Sequence, residues 1–217
     1  MIVDLNLQNK TVVVIGGGNE AEKRINGIIR QGCEIIVISD SVNSQISKLG
    51  KMKKIRVKRQ KIQDVKFISE YKPYIIITTT DDSNLNQNII NSAKKKKIIA
   101  YSSDNPEDSD FSNPAIIDFE NLVQIAIFTG GQSPAMSKRI RIQSEKIFKK
   151  IIKKEDIAQI KIQKIARKMV KERLQTQSQR KACLHNIMTD SKIDQLIKDG
   201  KMKQAEKQAI SILRNWK

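Results

Sequence analysis

The stretch Thr11-Val-Val-Val-Ile-Gly-Gly-Gly-Asn-Glu-Ala21 sets the fold expected for the first half of the chain. Its four β-branched residues, Val12 to Ile15, form a short apolar run that is typical of a strand buried on both faces of a parallel sheet. Three glycines end the run abruptly, and a helical pattern follows. Gly16, Gly18 and Ala21 fit the G-x-G-x-x-G/A spacing, which binds a dinucleotide when it joins a strand to a helix.

Each small residue of this spacing has a physical role. Gly16 permits the tight turn, Gly18 lets the backbone approach a pyrophosphate, and Ala21 lets the helix pack closely on the strand. Asp40 ends the next apolar run, about 20 residues further on, where a carboxylate can accept hydrogen bonds from the adenosine ribose. Because this carboxylate would repel a 2′-phosphate, we predict NAD rather than NADP. A buried βαβ unit with a tight glycine turn and no ligand remains the alternative.

Strand and helix patterns alternate up to residue 112, which predicts an α/β fold with a parallel sheet. After a short edge segment at residues 1–10, the predicted strands are 12–15, 35–38, 55–58, 74–78 and 97–101, and the predicted helices are 20–31, 44–49, 65–71 and 85–95, with Gly50 following the second helix. Polar residues follow two of these strands. Thr80 and Asp81 come after the fourth and Asp104 after the fifth, and ligands of open α/β sheets bind at the carboxyl ends of strands. Asp82 or Ser83 can also cap the following helix.

The pattern changes at Asn113. Two strands, 114–118 and 122–129, read as a hairpin, which is only marginally stable alone and so calls for a partner such as a second copy of the chain. Ser133 and Pro134 then start a helical region. Its predicted helices lie near 135–153, 155–174, 178–188, 192–198 and 201–215, and its predicted apolar face includes Ile157, Ile160, Ile165 and Val170.

The chain has 217 residues and a formal net charge of +18. Residues 148–217 contain 19 Lys and Arg against 7 Asp and Glu, an excess of 12 positive charges. Such a surface fits a polyanionic small molecule or a nucleic acid, although solvated lysine-rich helix faces would give the same composition. The lack of interleaved aromatic residues and of a clear helix-turn-helix pattern argues against nucleic acid.

The remaining reactive side chains give no sign of a metal site. Cys33 and Cys183 lack metal-ligand spacing, so we expect both to pack as small apolar residues, and we expect the single histidine, His185, to lie on a helix surface. The N-terminus has no basic segment followed by an apolar one, and no apolar run is long enough to span a bilayer. We therefore predict a cytoplasmic protein.

Five motifs, taken in order, resemble the precorrin-2 dehydrogenase / sirohydrochlorin ferrochelatase family, the stand-alone form of the first half of siroheme synthase. They are Gly16-Gly-Gly-x-x-Ala21, Thr79-Thr-Asp-Asp with Asn86, Asp104-x-Pro106, Phe111-x-x-Pro114-x-Ile-Ile-Asp118 and Thr129-Gly-Gly-x-Ser-Pro134. The resemblance implies a Rossmann-like NAD-binding domain at residues 1–112, a small strand-rich dimerisation region at 113–147 and a helical C-terminal domain at 148–217.

The resemblance also implies a function. Precorrin-2 would be oxidised to sirohydrochlorin with NAD⁺ as hydride acceptor, and some members then insert Fe²⁺ to give siroheme. The family's important aspartate matches Asp104, and its cofactor contacts match Asn19, Glu20, Asp40 and Ser41. Glu20 would be awkward beside a pyrophosphate unless it points away or serves as a first-turn acid of the helix.

The substrate implied by the resemblance bears eight carboxylates, which suits a basic cleft. Arg139 and Arg141 are our candidates for binding these carboxylates, because arginine is a bidentate donor. Ser133 belongs to the last motif and is the third candidate. Thr129 stands where some fused members carry a serine that can be phosphorylated. Two alternatives stay open: a homodimeric dehydrogenase without chelatase activity, and a non-catalytic NAD-sensing protein that binds nucleic acid.

Overall fold

The computed structural model describes residues 2–216 and divides the chain into two compact units, which meet in sequence between Asn113 and Pro114. The first unit contains a five-stranded parallel sheet, and the second contains a hairpin and a group of helices. The predicted α/β fold with a Rossmann-like sheet, a small strand-rich region and a helical C-terminal part is therefore confirmed. The finer division into three domains stays a prediction.

The sheet of the first unit has the strand order β3-β2-β1-β4-β5, and every neighbouring pair is parallel. Its strands are β1 Thr11–Ile15, β2 Glu34–Ser39, β3 Arg56–Arg59, β4 Ile75–Thr78 and β5 Ile99–Ser102. Its helices are α1 Asn19–Ile28, α2 Ser44–Lys51, α3 Lys66–Tyr71 and α4 Ser83–Lys95. The central strand β1 pairs with β2 and β4, so Val13 lies between Ile36 and Ile76.

Branched aliphatic residues fill the core on both faces of this sheet. Val12 and Val14 belong to the cluster that also holds Ala21 and Ile25 of α1, whereas Val13 and Ile15 belong to the cluster on the other face. All four strand residues are at most 1% exposed. The continuous apolar run is thus explained by burial on both faces, as expected for a parallel sheet.

Several predicted boundaries are wrong by a few residues. Helix α1 ends at Ile28 rather than at 31, and the chain then turns through Gly32 at a φ of 71°. Gly50 lies inside α2 instead of following it. Helix α2 packs closely on β3 at this position, since a Cβ at Gly50 would lie 2.9 Å from Val57. Residues 106–108 form a short 3-10 helix, which the sequence pattern does not predict. Residues 2–10 contain no strand.

The second unit starts with the predicted hairpin, β6 Ala115–Phe119 and β7 Val123–Ile127, which pair in antiparallel register. Glu120 and Asn121 make the turn with φ values of 54° and 58°, the left-handed values that a tight hairpin needs. Five helices follow: α5 Pro134–Ile151, α6 Lys154–Arg173, α7 Gln177–Thr189, α8 Ser191–Lys198 and α9 Met202–Arg214.

Helices α6 to α9 share one apolar core, but its α6 face differs from the prediction. Ile162, Ala166 and Val170 belong to this core and are buried at spacings of four residues. Ile157 is also buried, whereas Ile165 is 38% exposed. The sequence pattern misplaced the face because isoleucines occur on several sides of α6. In the described part of the chain, no helix is long and apolar enough to cross a membrane.

Candidate active site at the carboxyl edge of the sheet

The carboxyl ends of β1, β2, β4 and β5 bring most of the predicted site residues to one edge of the first unit. The chain leaves β1 for β2, which lies on one side of β1 in the sheet, whereas β4 lies on the other side of β1. The strand order therefore reverses between β1 and β4, and ligands of open α/β sheets bind at such a switch point. The glycine turn after β1 and the threonines after β4 meet there.

Gly16 makes the turn that the sequence predicts. Its φ is 108°, and a Cβ at this position would lie 2.5 Å from Oγ1 of Thr79. The backbone N–H and the Oγ1 of Thr79 both donate to the carbonyl of Ile15, each at 2.8 Å. The loops after β1 and β4 are thus locked together, and no residue with a side chain fits at Gly16.

Gly17 and Gly18 have different surroundings. A Cβ at Gly17 would overlap the carbonyl oxygen of Ser41 and the side chain of Val42, so this glycine is needed for the loops after β1 and β2 to pack. The carbonyl of Gly17 also accepts a hydrogen bond of 2.9 Å from the backbone N–H of Asn43. Gly18 faces open space and precedes α1 without a capping side chain. It therefore leaves room for a phosphate group at the N-terminus of α1.

The first turn of α1 explains why an acidic residue is tolerated beside this space. Partial burial alone would raise the pKa of Glu20, but hydrogen bonds and charges from Lys23 and Arg24 outweigh it and lower the pKa. Glu20 pairs with Lys23 at 3.1 Å and also with Arg24. Two cations of its own helix thus balance the negative charge of Glu20. Ala21 is fully buried against the sheet, so it acts through packing.

The end of β2 presents an exposed carboxylate. Asp40 accepts a hydrogen bond of 2.7 Å from the backbone N–H of Ser41, which orients its side chain at the carboxyl edge. Next to it, Asn43 caps α2 and donates to Glu22 of α1 at 2.7 Å. Asn43 was not predicted from sequence, although an asparagine before a helical pattern signals an N-cap.

We expect Asp40→Asn to weaken NAD binding about tenfold, because a charge-assisted hydrogen bond to the ribose is lost. The ratio of the NADP and NAD dissociation constants should fall as well, since the repulsion of a 2′-phosphate is removed. Isothermal titration with both cofactors measures each constant. Glu34→Gln is the matched control, because Glu34 is an exposed carboxylate at the opposite end of the same strand. Equal NAD and NADP affinities in the unmodified protein would contradict the ribose assignment.

The loop after β4 is fixed by a buried amide. Asn86, which is 1% exposed, donates to the carbonyl of Thr80 at 2.8 Å and accepts from Oγ1 of Thr80 at 2.7 Å. Asp82 caps α4 by accepting from the N–H of Leu85 at 2.9 Å. Asp81 is exposed between these anchors. Thr80 and Asp81 are therefore held on the edge where the glycine turn lies.

Asp104 follows β5 on the same edge. Its Oδ1 accepts a hydrogen bond of 2.6 Å from the hydroxyl of Ser102. Partial burial alone would raise the pKa of Asp104, but hydrogen bonds from Ser102, Asn86 and Ser83 favour the ionised form and lower the pKa. Asp104 is consequently a carboxylate at neutral pH, and it can accept a proton or stabilise a positive charge.

The three predicted substrate residues belong to the second unit. Ser133 caps α5 by accepting from the N–H of Met136 at 3.2 Å, and Arg141 pairs with Glu145 at 2.7 Å. Arg139 is exposed on the same helix. Their role as substrate ligands remains a prediction, and the capping role of Ser133 is structural.

Residues 3–115 match a family model described as putative NAD(P)-binding, and these residues contain the glycine turn, Asp40 and Asp104. The chain belongs to this NAD(P)-binding family. The predicted dinucleotide cofactor is thereby confirmed, and the reading of the glycine turn as a βαβ unit without a ligand is set aside. The exposed space at Gly18 and the uncapped N-terminus of α1 fit a cofactor pyrophosphate.

The chain is similar to proteins named siroheme synthase and precorrin-2 dehydrogenase. The chain is 27% identical over 141 residues to "Siroheme synthase" of Nitrosococcus oceani, a match that covers 65% of this chain and 29% of the relative. It is 30% identical over 139 residues to "Precorrin-2 dehydrogenase" of Priestia megaterium, covering 64% of this chain and 66% of that protein. The chain therefore spans less than a third of the siroheme synthase to which it is compared.

A solved structure described as "SirC, precorrin-2 dehydrogenase" has the same fold over nearly the whole chain. The TM-score is 0.68 at 23% sequence identity, and the match covers 96% of this chain and 99% of that one. The fold predicted for the helical C-terminal part thus occurs in a known protein together with the NAD(P)-binding sheet.

Proposed function

We propose that the protein is an NAD-dependent precorrin-2 dehydrogenase that oxidises precorrin-2 to sirohydrochlorin. The observation that carries this proposal is that the Asp104 carboxylate, which accepts a hydrogen bond from Ser102, lies on the same sheet edge as the glycine turn. The resemblance to the precorrin-2 dehydrogenase of Priestia megaterium supports the choice of substrate. The glycine turn would hold NAD⁺, and Asp104 would act beside the nicotinamide.

The chemistry requires removal of a hydride and at least one proton from the macrocycle. NAD⁺ accepts the hydride when it is bound. A carboxylate can accept a proton if it is ionised before the reaction, and the lowered pKa of Asp104 meets that condition. We assign Asp104 as the catalytic base. Gly16, Gly18, Asn19, Asp40, Ser41, Thr80 and Asp81 are the proposed cofactor contacts, while Glu20 and Ala21 support the turn.

The charge of the protein supports a polycarboxylate substrate. A net charge of +18 raises the local concentration of an anion with eight carboxylates. Arg139, Arg141 and Ser133 remain our proposed substrate contacts. Since Arg141 is paired with Glu145, the substrate would have to compete for that guanidinium, whereas Arg139 is exposed.

A homodimer is part of the proposal, and helix α5 supports it. Met136, Ile140, Ile147 and Ile151 are exposed, and their spacings of four, seven and four residues place them on one stripe of α5. Ile147 is 59% and Ile151 60% exposed. Contiguous exposed apolar surface of this kind marks an interaction site, and a second copy of the chain can cover it with its own stripe.

We expect Ile147→Asp to shift the protein from dimer to monomer, because a carboxylate in the centre of the stripe cannot be buried without a partner. Sedimentation equilibrium measures the change. Ile142→Asp is the matched control, since Ile142 is 44% exposed on the same helix but lies off the stripe. A wild-type monomer at micromolar concentration, or identical behaviour of the two variants, would reject this interface.

Insertion of Fe²⁺ into sirohydrochlorin is a second candidate activity, favoured by the relatives named siroheme synthase. Ferrochelation needs a base to remove two pyrrole protons but no permanent metal cage, and Asp104 is the available base. A dehydrogenase without chelatase activity is the alternative. The cytoplasmic location predicted from the sequence also remains a proposal.

The deciding experiment is incubation of the purified protein with precorrin-2 and NAD⁺. We expect the absorption spectrum of sirohydrochlorin to appear together with NADH. Fe²⁺ is then added, and the rate of siroheme formation is compared with the rate without protein. Absence of NADH from a dimer that binds NAD would contradict the dehydrogenase. Salt-sensitive binding of DNA with no tetrapyrrole turnover would support the NAD-sensing alternative instead.

A further inference from the structure

Two buried hydroxyl groups lie directly behind Asp104. Thr78 and Ser102 are register partners at the ends of β4 and β5, and they are 0% and 2% exposed. Their hydroxyl oxygens are 3.1 Å apart. Polar side chains are rare in the interior of this sheet, so the pair needs an explanation beyond strand packing.

The proton positions of this pair follow from counting donors. A carboxylate only accepts, so Ser102 must donate its single hydroxyl proton to Asp104 across the 2.6 Å contact. Ser102 can then only accept from Thr78 across their 3.1 Å contact, which is shorter than the 3.5 Å from the same Thr78 hydroxyl to the carbonyl of Tyr101. The backbone N–H of Ser102 is fixed as well, because it donates to Oγ of Ser109 at 2.9 Å. The chain of donors therefore runs in one direction, from Thr78 through Ser102 to Asp104.

We propose that Ser102 is a positioning residue that fixes one oxygen of the Asp104 carboxylate through the 2.6 Å hydrogen bond from its hydroxyl. The proposal deepens the proposed function and depends on it for its kinetic test. A buried donor aligned by a second buried donor has little freedom to rotate, so the carboxylate is oriented before substrate binds. Asn86 and Ser83 assist from α4.

Other acidic residues lie on the neighbouring elements, and Lys94 of α4 pairs with one of them, Asp108, at 3.9 Å. Asp81 and Asp82 lie on the loop before α4, and Glu107 and Asp108 lie in the 3-10 helix that follows. Negative charges near a carboxylate favour its protonated form. The hydroxyl and amide donors of Ser102, Asn86 and Ser83 lower the pKa of Asp104, and the hydroxyl of Ser102 lies 2.6 Å from the carboxylate.

The test compares Ser102→Ala with Ser103→Ala in the full chain. Ser103 is the matched control, because its hydroxyl is buried and has no hydrogen-bond partner among residues 2–216. Titration of ¹³C-labelled aspartate by NMR reports the pKa of Asp104 without any need for turnover. We expect Ser102→Ala to raise this pKa by about one unit, the effect of one charge-assisted hydrogen bond, and Ser103→Ala to leave it unchanged.

Kinetics give the second readout. In Ser102→Ala the acid limb of kcat/KM should move upward with the pKa, and kcat should fall about tenfold while the KM for NAD⁺ is unchanged. Thr78→Val removes the first donor and should give a smaller shift in the same direction. Equal effects of Ser102→Ala and Ser103→Ala, or no shift in either, would overturn the proposal. If the wild type makes no sirohydrochlorin but the pKa still responds, the proposed function fails and the positioning role stands.

Discussion

Asp104→Ala is expected to lower the rate of precorrin-2 oxidation by about 10²- to 10⁴-fold, the range for loss of a positioned general base. The KM for NAD⁺ should change little, because the proposed cofactor contacts follow β1, β2 and β4. Steady-state rates of NADH formation at saturating NAD⁺ measure the effect. The melting temperature should remain close to that of the wild type, since Asp104 lies at the exposed edge of the sheet.

Asp104→Asn is the control for shape. The amide keeps an oxygen that can accept from Ser102, yet it cannot take up a proton, so its activity should be as low as that of the alanine variant. An asparagine variant with wild-type activity would show that Asp104 has only a structural role. If Asp104→Ala unfolds and Asp104→Asn folds, the activity of Asp104→Asn decides the question.

The pH profile follows from the same carboxylate. Its pKa lies below the ordinary aspartate value of about 3.9, so the base form is present throughout the neutral range and is lost only as the pH falls through the lowered pKa. Asp104 should therefore cause no change in kcat/KM between about pH 5 and 8. If kcat/KM of the wild type changed with pH in that interval, and this change were absent from Asp104→Asn, the lowered pKa would be contradicted.

Gly17→Ala is expected to have the largest effect on stability. The new methyl group would overlap the carbonyl oxygen of Ser41 and the side chain of Val42, and the backbone cannot move without separating the loops after β1 and β2. We expect a loss of about 3 kcal/mol in the free energy of unfolding, at the upper end for overpacking in a tight site. Urea denaturation followed by circular dichroism measures it.

Gly18→Ala is the matched control one residue away. No atom lies within 4 Å of a Cβ at Gly18, so its free energy of unfolding should change by less than about 1 kcal/mol. NAD binding should nevertheless weaken at least tenfold, because the methyl group occupies the space left for the pyrophosphate. The two variants thus separate folding from cofactor binding. Unchanged NAD affinity in Gly18→Ala would contradict the assigned approach of the cofactor.

The glycine turn illustrates what can be predicted from sequence. The turn at Gly16 was predicted because three glycines after an apolar run are a local signal, and its φ of 108° agrees. The close approach of Thr79 to Gly16 was not predicted. Gly17 was missed because its constraint comes from Ser41 and Val42, which are distant in sequence. The strands were likewise predicted from their apolar runs, which are local signals. Their exact ends were not, because the neighbouring loops determine where each strand stops.

Side-chain partners across the sheet were harder to predict. Asp104 was predicted as a site residue because it follows a strand. Ser102 was not predicted, since its proposed role depends on the register with Thr78. In α6, the apolar face was misplaced for a related reason. Ile162 and Ile165 have the same side chain, so hydrophobicity does not distinguish them. The packing of α7 to α9 against α6 decides which of the two is buried.

The central position of β1 has a consequence for how the chain folds. Its partner β4 lies far along the sequence, with Val12 opposite Ile75, so the middle of the sheet closes only after a long search for non-local contacts. The helices of the second unit pack mainly on neighbours in sequence and should form sooner. During the delay the isoleucine-rich strands are exposed to other chains. Productive folding of the cofactor-binding unit should therefore depend on low protein concentration or on a chaperone.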